Sequence, residues 1–322
     1  IDSYGEKLVS MSVSFPRQVP EPDDPSRLRY VIRSNGKSGY LFFINHQRYV
    51  DMPARKHIRF NIDLNAGDLT FPEKPITIPS GAMGIFPFNQ KLGSARLVYA
   101  TLQPLMDLSS ENQKRYVYFA IPGIPPEMAF QEVKGIRGLT GKQYDQKESR
   151  WMVHPPLNQA FQLELEDGSN IEVLVLDEKA SLDAWKIEKN GRRYLALCED
   201  EVFQDQDELV LRSIHLTEKN LLIYPRPGAL SDANSKLQLF PSSESTAGNR
   251  SRLQEDAVHN KTFQRYTIDY GEPIHIEADY RQVQPMKAGA ELPADSLQPA
   301  VWDLALEQVP WNEVNDVIMQ IR

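Results

Sequence analysis

From residue 28 to residue 121 the chain is a succession of short apolar and β-branched runs. Each is cut off by Gly, Pro, Asn or Asp before it is long enough for a helix. The runs fall at 28–33, 40–44, 58–64, 69–71, 76–78, 82–86, 95–103 and 116–121. Nearly all have the length of strands in packed sheets, with turn residues between them. The first two flank Ser34-Asn35-Gly36-Lys37-Ser38, so an Asn-Gly turn should close a hairpin there. With 23 prolines against 17 glycines, this punctuation continues along the chain and favours an all-β architecture.

At 322 residues there is room for two or three domains of roughly 100–200 residues each. A hydrophobic share of 41% suffices for packed cores. A net charge of −8 disfavours a sequence-independent nucleic-acid binder, which needs a basic face to displace counterions. No apolar run approaches the ~18 residues of a membrane span. The opening Ile1, with no signal pattern after it, leads us to expect a piece of a longer polypeptide. Cys198 is alone, so no disulfide framework is expected; between Leu197 and Glu199 at a strand end it reads as a small core residue. The sequons at Asn249 and Asn260 are triplets common by chance.

Residues 1–27 begin with a short amphipathic piece, Tyr4 to Met11, and pass into Pro16, Pro20, Pro22 and Pro25 among acids. That composition reads as a linker. A first β-sandwich is expected at 28–125 and a second β-domain at 126–280, the latter broken by a long polar loop at about 226–262. In the second, 161–166 alternates apolar and acidic residues and turns at Asp167-Gly168 into 171–176. Ser181 is expected to cap one helical turn before a strand at Trp185. Runs 209–216 and 221–224 are expected to form a hairpin. Residues 281–322 look like the start of a terminal jelly-roll-like domain, with strands at 301–306 and 316–322.

Catalytic and cofactor motifs fail one by one. Gly138-Leu139-Thr140-Gly141-Lys142-Gln143 lacks the leading glycine and the final hydroxyl of a phosphate loop. The six histidines show neither helical pairing nor a neighbouring cysteine cluster. Glu164 and Glu166 share a strand face but read as its solvated side, not as the facing acids of a glycosidase. Acids between Glu199 and Glu208 lack calcium-loop spacing. We therefore assign no catalytic residue, no metal ligand and no cofactor. Trp185 and Trp302 fit a core pattern, whereas Trp151 and Trp311 stand near turns and prolines and are the candidate platforms for a sugar ring.

Two runs carry a resemblance when taken together: Arg33 to Asn45, and Ile78-Pro79-Ser80-Gly81-Ala82-Met83-Gly84-Ile85-Phe86-Pro87-Phe88-Asn89. With Ala100-Thr101-Leu102-Gln103-Pro104-Leu105, the 168–176 strand, Ala184-Trp185-Lys186 and 191–197, they resemble the non-catalytic C-terminal β-domains of bacterial β-galactosidases of glycoside hydrolase family 35. Tyr4-Gly5-Glu6-Lys7-Leu8 with Met11 looks like the connector leaving that family's barrel, and 226–262 matches nothing in it. The resemblance implies that the acid and nucleophile glutamates lie in an upstream (β/α)8 barrel. It also implies that this region is an accessory one, buttressing the barrel and bordering its sugar site, with β-galactoside-containing glycans as ligands of the whole. An extracytoplasmic parent is expected. Phe86, Pro87, Phe88 and Asn89, in a Gly/Pro-rich turn, either dock on the barrel or plug their own sandwich. Two other readings stay open: an autonomous carbohydrate-binding module and a purely structural or adhesion-like sandwich. The expected fold is mainly β, in consecutive antiparallel β-sandwich (jelly-roll-like) domains with little helix.

Overall fold

The computed structural model describes residues 4–21, 24–139, 144–147, 150–189, 191–205, 208–212, 219–226, 252–255, 262–269, 279–282 and 302–305. As expected, the architecture is mainly β, built from several sheets with, among the described residues, two five-residue helices, Gly5–Val9 and Glu178–Leu182.

Three sheets stack in layers. The first has eight strands in the spatial order Ser12–Ser14, Arg29–Ser34, Gly39–Ile44, Met83–Leu92, Ala95–Ala100, Met128–Gln131, Arg150–Val153 and Tyr144–Lys147. The second, the middle sheet, runs Val133–Arg137, Gln159–Leu165, Asn170–Leu176, Lys114–Ala120 and Leu102–Asp107. The third runs Ala184–Lys189, Arg192–Leu197, Lys219–Tyr224, Gln264–Asp269 and Arg252–Glu255. A hairpin of Arg55–Ile62 and Leu69–Ile78 covers part of the far side of the eight-stranded sheet.

The side-chain alternation of the strands explains the layering. Tyr116 and Tyr118 face the core shared with the eight-stranded sheet, while Val117 faces the core shared with the third sheet. Likewise Ile171, Val173 and Val175 point one way and Leu174 and Leu176 the other. Both faces of the middle sheet are thus covered, which is why 171–176 reads as a nearly unbroken apolar run. In the eight-stranded sheet, Leu97 and Phe130 meet the middle sheet, while Leu41, Phe43, Phe86 and Phe88 lie under the hairpin. A register shift opposite Ala129 and Phe130 leaves Val98 without a partner, and Val98 and Tyr99 consequently both face the hairpin side.

Several local expectations change. The proposed division at residue 125 does not separate two bodies. Strands on either side of it share both the eight-stranded and the middle sheet, and the core between them mixes Leu97 and Tyr118 with Phe130, Phe161 and Val173. Composition at 121–126 signals a turn, and a turn between strands of the same sandwich looks identical to a domain boundary. Among the described residues the pairing is antiparallel except between Asn170–Leu176 and Lys114–Ala120, which run parallel.

The 34–39 hairpin forms, but through a four-residue loop. Only Gly36 takes a positive φ (81°), and Asn35 instead turns the chain by accepting from the Lys37 and Ser38 amides at 3.0 and 2.8 Å. The helix before Trp185 starts earlier than expected: Asp177, not Ser181, caps it by accepting from the Ala180 amide at 2.8 Å. Lys219–Tyr224 pairs with Arg192–Leu197, and Glu208–Arg212 pairs instead with Glu201–Asp205, so the expected 209–224 hairpin does not form. Arg252–Glu255 is a strand inside the span read as a polar loop, and the rest of 227–261 lies outside the described residues. Of the expected terminal domain, Trp302–Ala305 is described, paired with Asp279–Gln282. The expected strand at 316–322 lies outside the described residues.

Candidate functional site

Residues 1–27, read as a linker, are partly built into the fold. Ser12–Ser14 adds a short edge strand beside Arg29–Ser34, pairing Ser12 with Ser34 and Ser14 with Ile32. The Tyr4 ring meets Tyr40 edge-on at 6.3 Å, and its buried hydroxyl has no hydrogen-bond partner. Burial, with Asp107, Tyr40 and Tyr116 close by, drives the Tyr4 hydroxyl far above the usual phenol range, and burial raises Tyr40 to about 12. Tyr40 donates to Gln90 at 3.2 Å.

After the edge strand come the proline-containing stretches Phe15–Glu21 and Asp24–Arg27, which form a strap. Prolines remove amide donors and leave carbonyls unpaired. Two arginines supply the missing donors. Arg29 donates to the Glu21 and Asp24 carbonyls at 3.0 and 3.3 Å. Arg55 donates to the Ser26 carbonyl at 2.7 Å and to the Pro25 carbonyl. Fully buried Asn45 fixes the ground beneath Arg55. Its Nδ2 donates to the Pro53 and Pro79 carbonyls at 3.0 and 2.8 Å, and its Oδ1 accepts from Arg55 Nε at 3.4 Å. Asp24 accepts from the Ser26 hydroxyl and amide, which holds its carboxyl below the usual range.

Between this strap and the 55–78 hairpin lies an open groove of about 1320 Å³. The hairpin covers the middle of the eight-stranded sheet but stops short of its edge. Tyr30 and Ile32 are therefore left half-covered on the groove floor beside Phe60. The Tyr30 and Phe60 rings meet edge-on at 6.2 Å. Phe15, 68% exposed, forms a wall. Arg17, Arg27, Arg59 and Asp63 are the charged side chains of the lining, and Ser, Asn and Gln side chains supply the other polar groups. Sequence reasoning missed all of these. Tyr30 looks like any core aromatic of a strand, and Phe15 and Arg17 sit in what reads as linker; what exposes them is the reach of a hairpin far along the chain.

The residues singled out from sequence lie elsewhere and apart. Trp151 stands on Arg150–Val153 opposite Phe130, half-buried and packed on the core between the first two sheets. Trp311 lies outside the described residues. Phe86, Pro87, Phe88 and Asn89 form part of the strand Met83–Leu92, not a turn. The Phe86 and Phe88 rings are fully buried beneath the chain's own hairpin, Pro87 is buried, and Asn89 donates to the Lys37 carbonyl at 3.0 Å. Of the two readings of this stretch, burial matches the plug; it leaves the two phenyl rings no surface for another domain. Cys198 is buried, as expected of a core thiol, and burial raises its pKa.

Three carboxylates in or beside the sheets are engaged in the fold. Glu164 meets Lys134 at 3.6 Å and Arg137 at 2.7 Å. Glu172 meets Arg115 at 3.1 Å and accepts from the Tyr224 hydroxyl at 2.7 Å. Buried Glu127 accepts from Tyr99 at 2.6 Å and from the Glu73 amide at 2.9 Å. Among the described residues no three His, Cys, Asp or Glu side chains gather as a metal site, and no helix is long and apolar enough to cross a membrane. The fold and groove thus define a class, a layered, mainly β, sandwich-like protein with an open groove near one sheet edge. No protein-family model matches the chain, and no curated protein matches it.

Proposed function

We propose that this chain is the accessory, non-catalytic β-region of a β-galactosidase-like glycoside hydrolase, bracing a (β/α)8 barrel carried on the N-terminal side of the same polypeptide. The observation that carries the reading is the attachment of the leading segment. Its edge strand, the Tyr4 ring against Tyr40 and the arginine-held strap fasten residues 4–21 and 24–27 to the sandwich at three places. A domain joined through such a segment is held at a fixed orientation and does not swing on a tether. The partnered acids Glu127, Glu164 and Glu172 agree with a supporting role for these layers.

The test is a pair of proteins. A polypeptide extended upstream through the barrel is expected to release galactose from a chromogenic β-galactoside, and residues 1–322 alone are not. Deleting residues 4–27 from the long form should lower its activity and melting temperature together. A long form without β-galactosidase activity removes the enzyme reading. Unchanged activity and melting after the deletion removes the bracing role.

A further inference from the structure

We propose that the groove between the 15–27 strap and the 55–78 hairpin binds an acidic, uronate-type oligosaccharide. The inference goes beyond the bracing role and does not depend on it, because binding to this chain is measured without any hydrolysis.

Charge is the first argument. The chain as a whole carries −8, yet the groove lining holds three guanidinium groups, on Arg17, Arg27 and Arg59, against the single carboxylate of Asp63. A local excess of cations on an anionic protein selects anionic ligands and steers them in. Two of these arginines have donors to spare. Arg17 makes no hydrogen bond or ion pair among the described residues, and Arg59 uses only Nε, on the Pro72 carbonyl at 3.1 Å. Arg27 is held by Gln18 and stands 3.9 Å from Asp24. A guanidinium fork matches a carboxylate bidentately, which a uronic acid offers and a neutral sugar does not.

Shape and lining argue for a sugar over an acidic peptide. The groove is open and, at about 1320 Å³, has room for a short oligosaccharide, with the Tyr30 ring on its floor and Phe15 on its wall. Flat apolar faces beside serine hydroxyls and amide side chains suit pyranose rings, which present one C–H face and a rim of hydroxyls. Extended peptides are commonly captured by adding a strand to a sheet edge. Here the groove lining is made of side chains such as Phe15, Arg17, Tyr30 and Arg59, so recognition within it falls to side chains.

The experiment is calorimetric titration of the 322-residue chain with hexagalacturonate, with cellohexaose as the neutral control and hexaglutamate as the peptide control. Saturable binding of hexagalacturonate is expected, at least about tenfold tighter than either control and weakened by about 0.5 M NaCl. Arg17→Ala and Arg59→Ala should each weaken it about tenfold, as loss of a charge-assisted hydrogen bond does. Both residues are exposed, so the fold should survive, and an unchanged melting temperature checks that. Tyr30→Leu, which keeps apolar volume, should also weaken binding by removing the ring face. No saturable binding of hexagalacturonate overturns the proposal. So does equal binding of hexaglutamate, which would make the groove a site for acidic peptides, or affinity indifferent to both arginine substitutions.

Discussion

The middle sheet and the strand next to one edge of the eight-stranded sheet both have apolar residues at their centres and have opposite fates. Strand Asn170–Leu176 has Ile171, Val173, Leu174, Val175 and Leu176 all fully buried, because layers cover it on both sides. In Arg29–Ser34, with Tyr30, Val31 and Ile32 at its centre, every residue is half-exposed, and the hairpin reaches Tyr30 and Ile32 only in part. A strand's own sequence does not decide which of these it becomes. The deciding quantity is how far the next layer reaches, and the partly covered strand is where apolar surface and polar rim lie side by side.

Substitutions should separate the two regions by size of effect. Phe161→Ala empties a site between two sheets and is expected to cost about 3–5 kcal/mol of stability in a urea titration. A loss under about 1 kcal/mol would mean that the middle layer is not the core of the fold. Tyr99→Phe removes the 2.6 Å hydrogen bond to Glu127 under the hairpin. It should cost about 1–3 kcal/mol, since the carboxylate keeps the Glu73 amide but loses its other donor. At the edge, Tyr30→Ala should cost only about 1 kcal/mol, as its ring is half-covered. If Tyr30→Ala matched Phe161→Ala, the contrast between edge and centre would collapse.

The smallest effect concerns pH. Asp167, in the turn leading into the middle strand, accepts from the Ser169 and Ser94 hydroxyls, which lower its pKa from 3.8 to about 2. A depressed carboxyl favours the fold when ionised. Its contribution is therefore complete above about pH 4 and fades as pH falls through about 2. Ser94→Ala should move the carboxyl titration seen by NMR back toward the unperturbed value. An unmoved titration would place the cause in Ser169 alone.

Much of this fold was legible from residues and some was not, for physical reasons. Short runs with turn residues between them gave the β class, the 34–39 hairpin and the Phe161–Leu176 strand pair, since these signals are local. What failed was long-range. Whether 121–126 divides domains, and whether Lys219–Tyr224 pairs backward or with its sequence neighbour, depends on competition among sheets that no window reveals. The groove was invisible for the same reason. Trp151 drew attention by its size and neighbours, but its ring packs on a core. Phe15 and Arg17 drew none, because prolines around them read as linker.

The strap's mode of attachment has a consequence for the conditions under which the groove keeps its shape. Its carbonyls hang on the guanidinium groups of Arg29 and Arg55, and Arg55 is steadied by an amide, Asn45. Neither kind of group changes protonation between acidic and strongly alkaline solution. The carbonyls of Glu21, Asp24, Pro25 and Ser26 therefore hang on anchors blind to proton concentration, and the Asp24 carboxyl that also ties down Ser26 is held below its usual range, so this stretch should keep the same outline in a mildly acidified environment as in a neutral one.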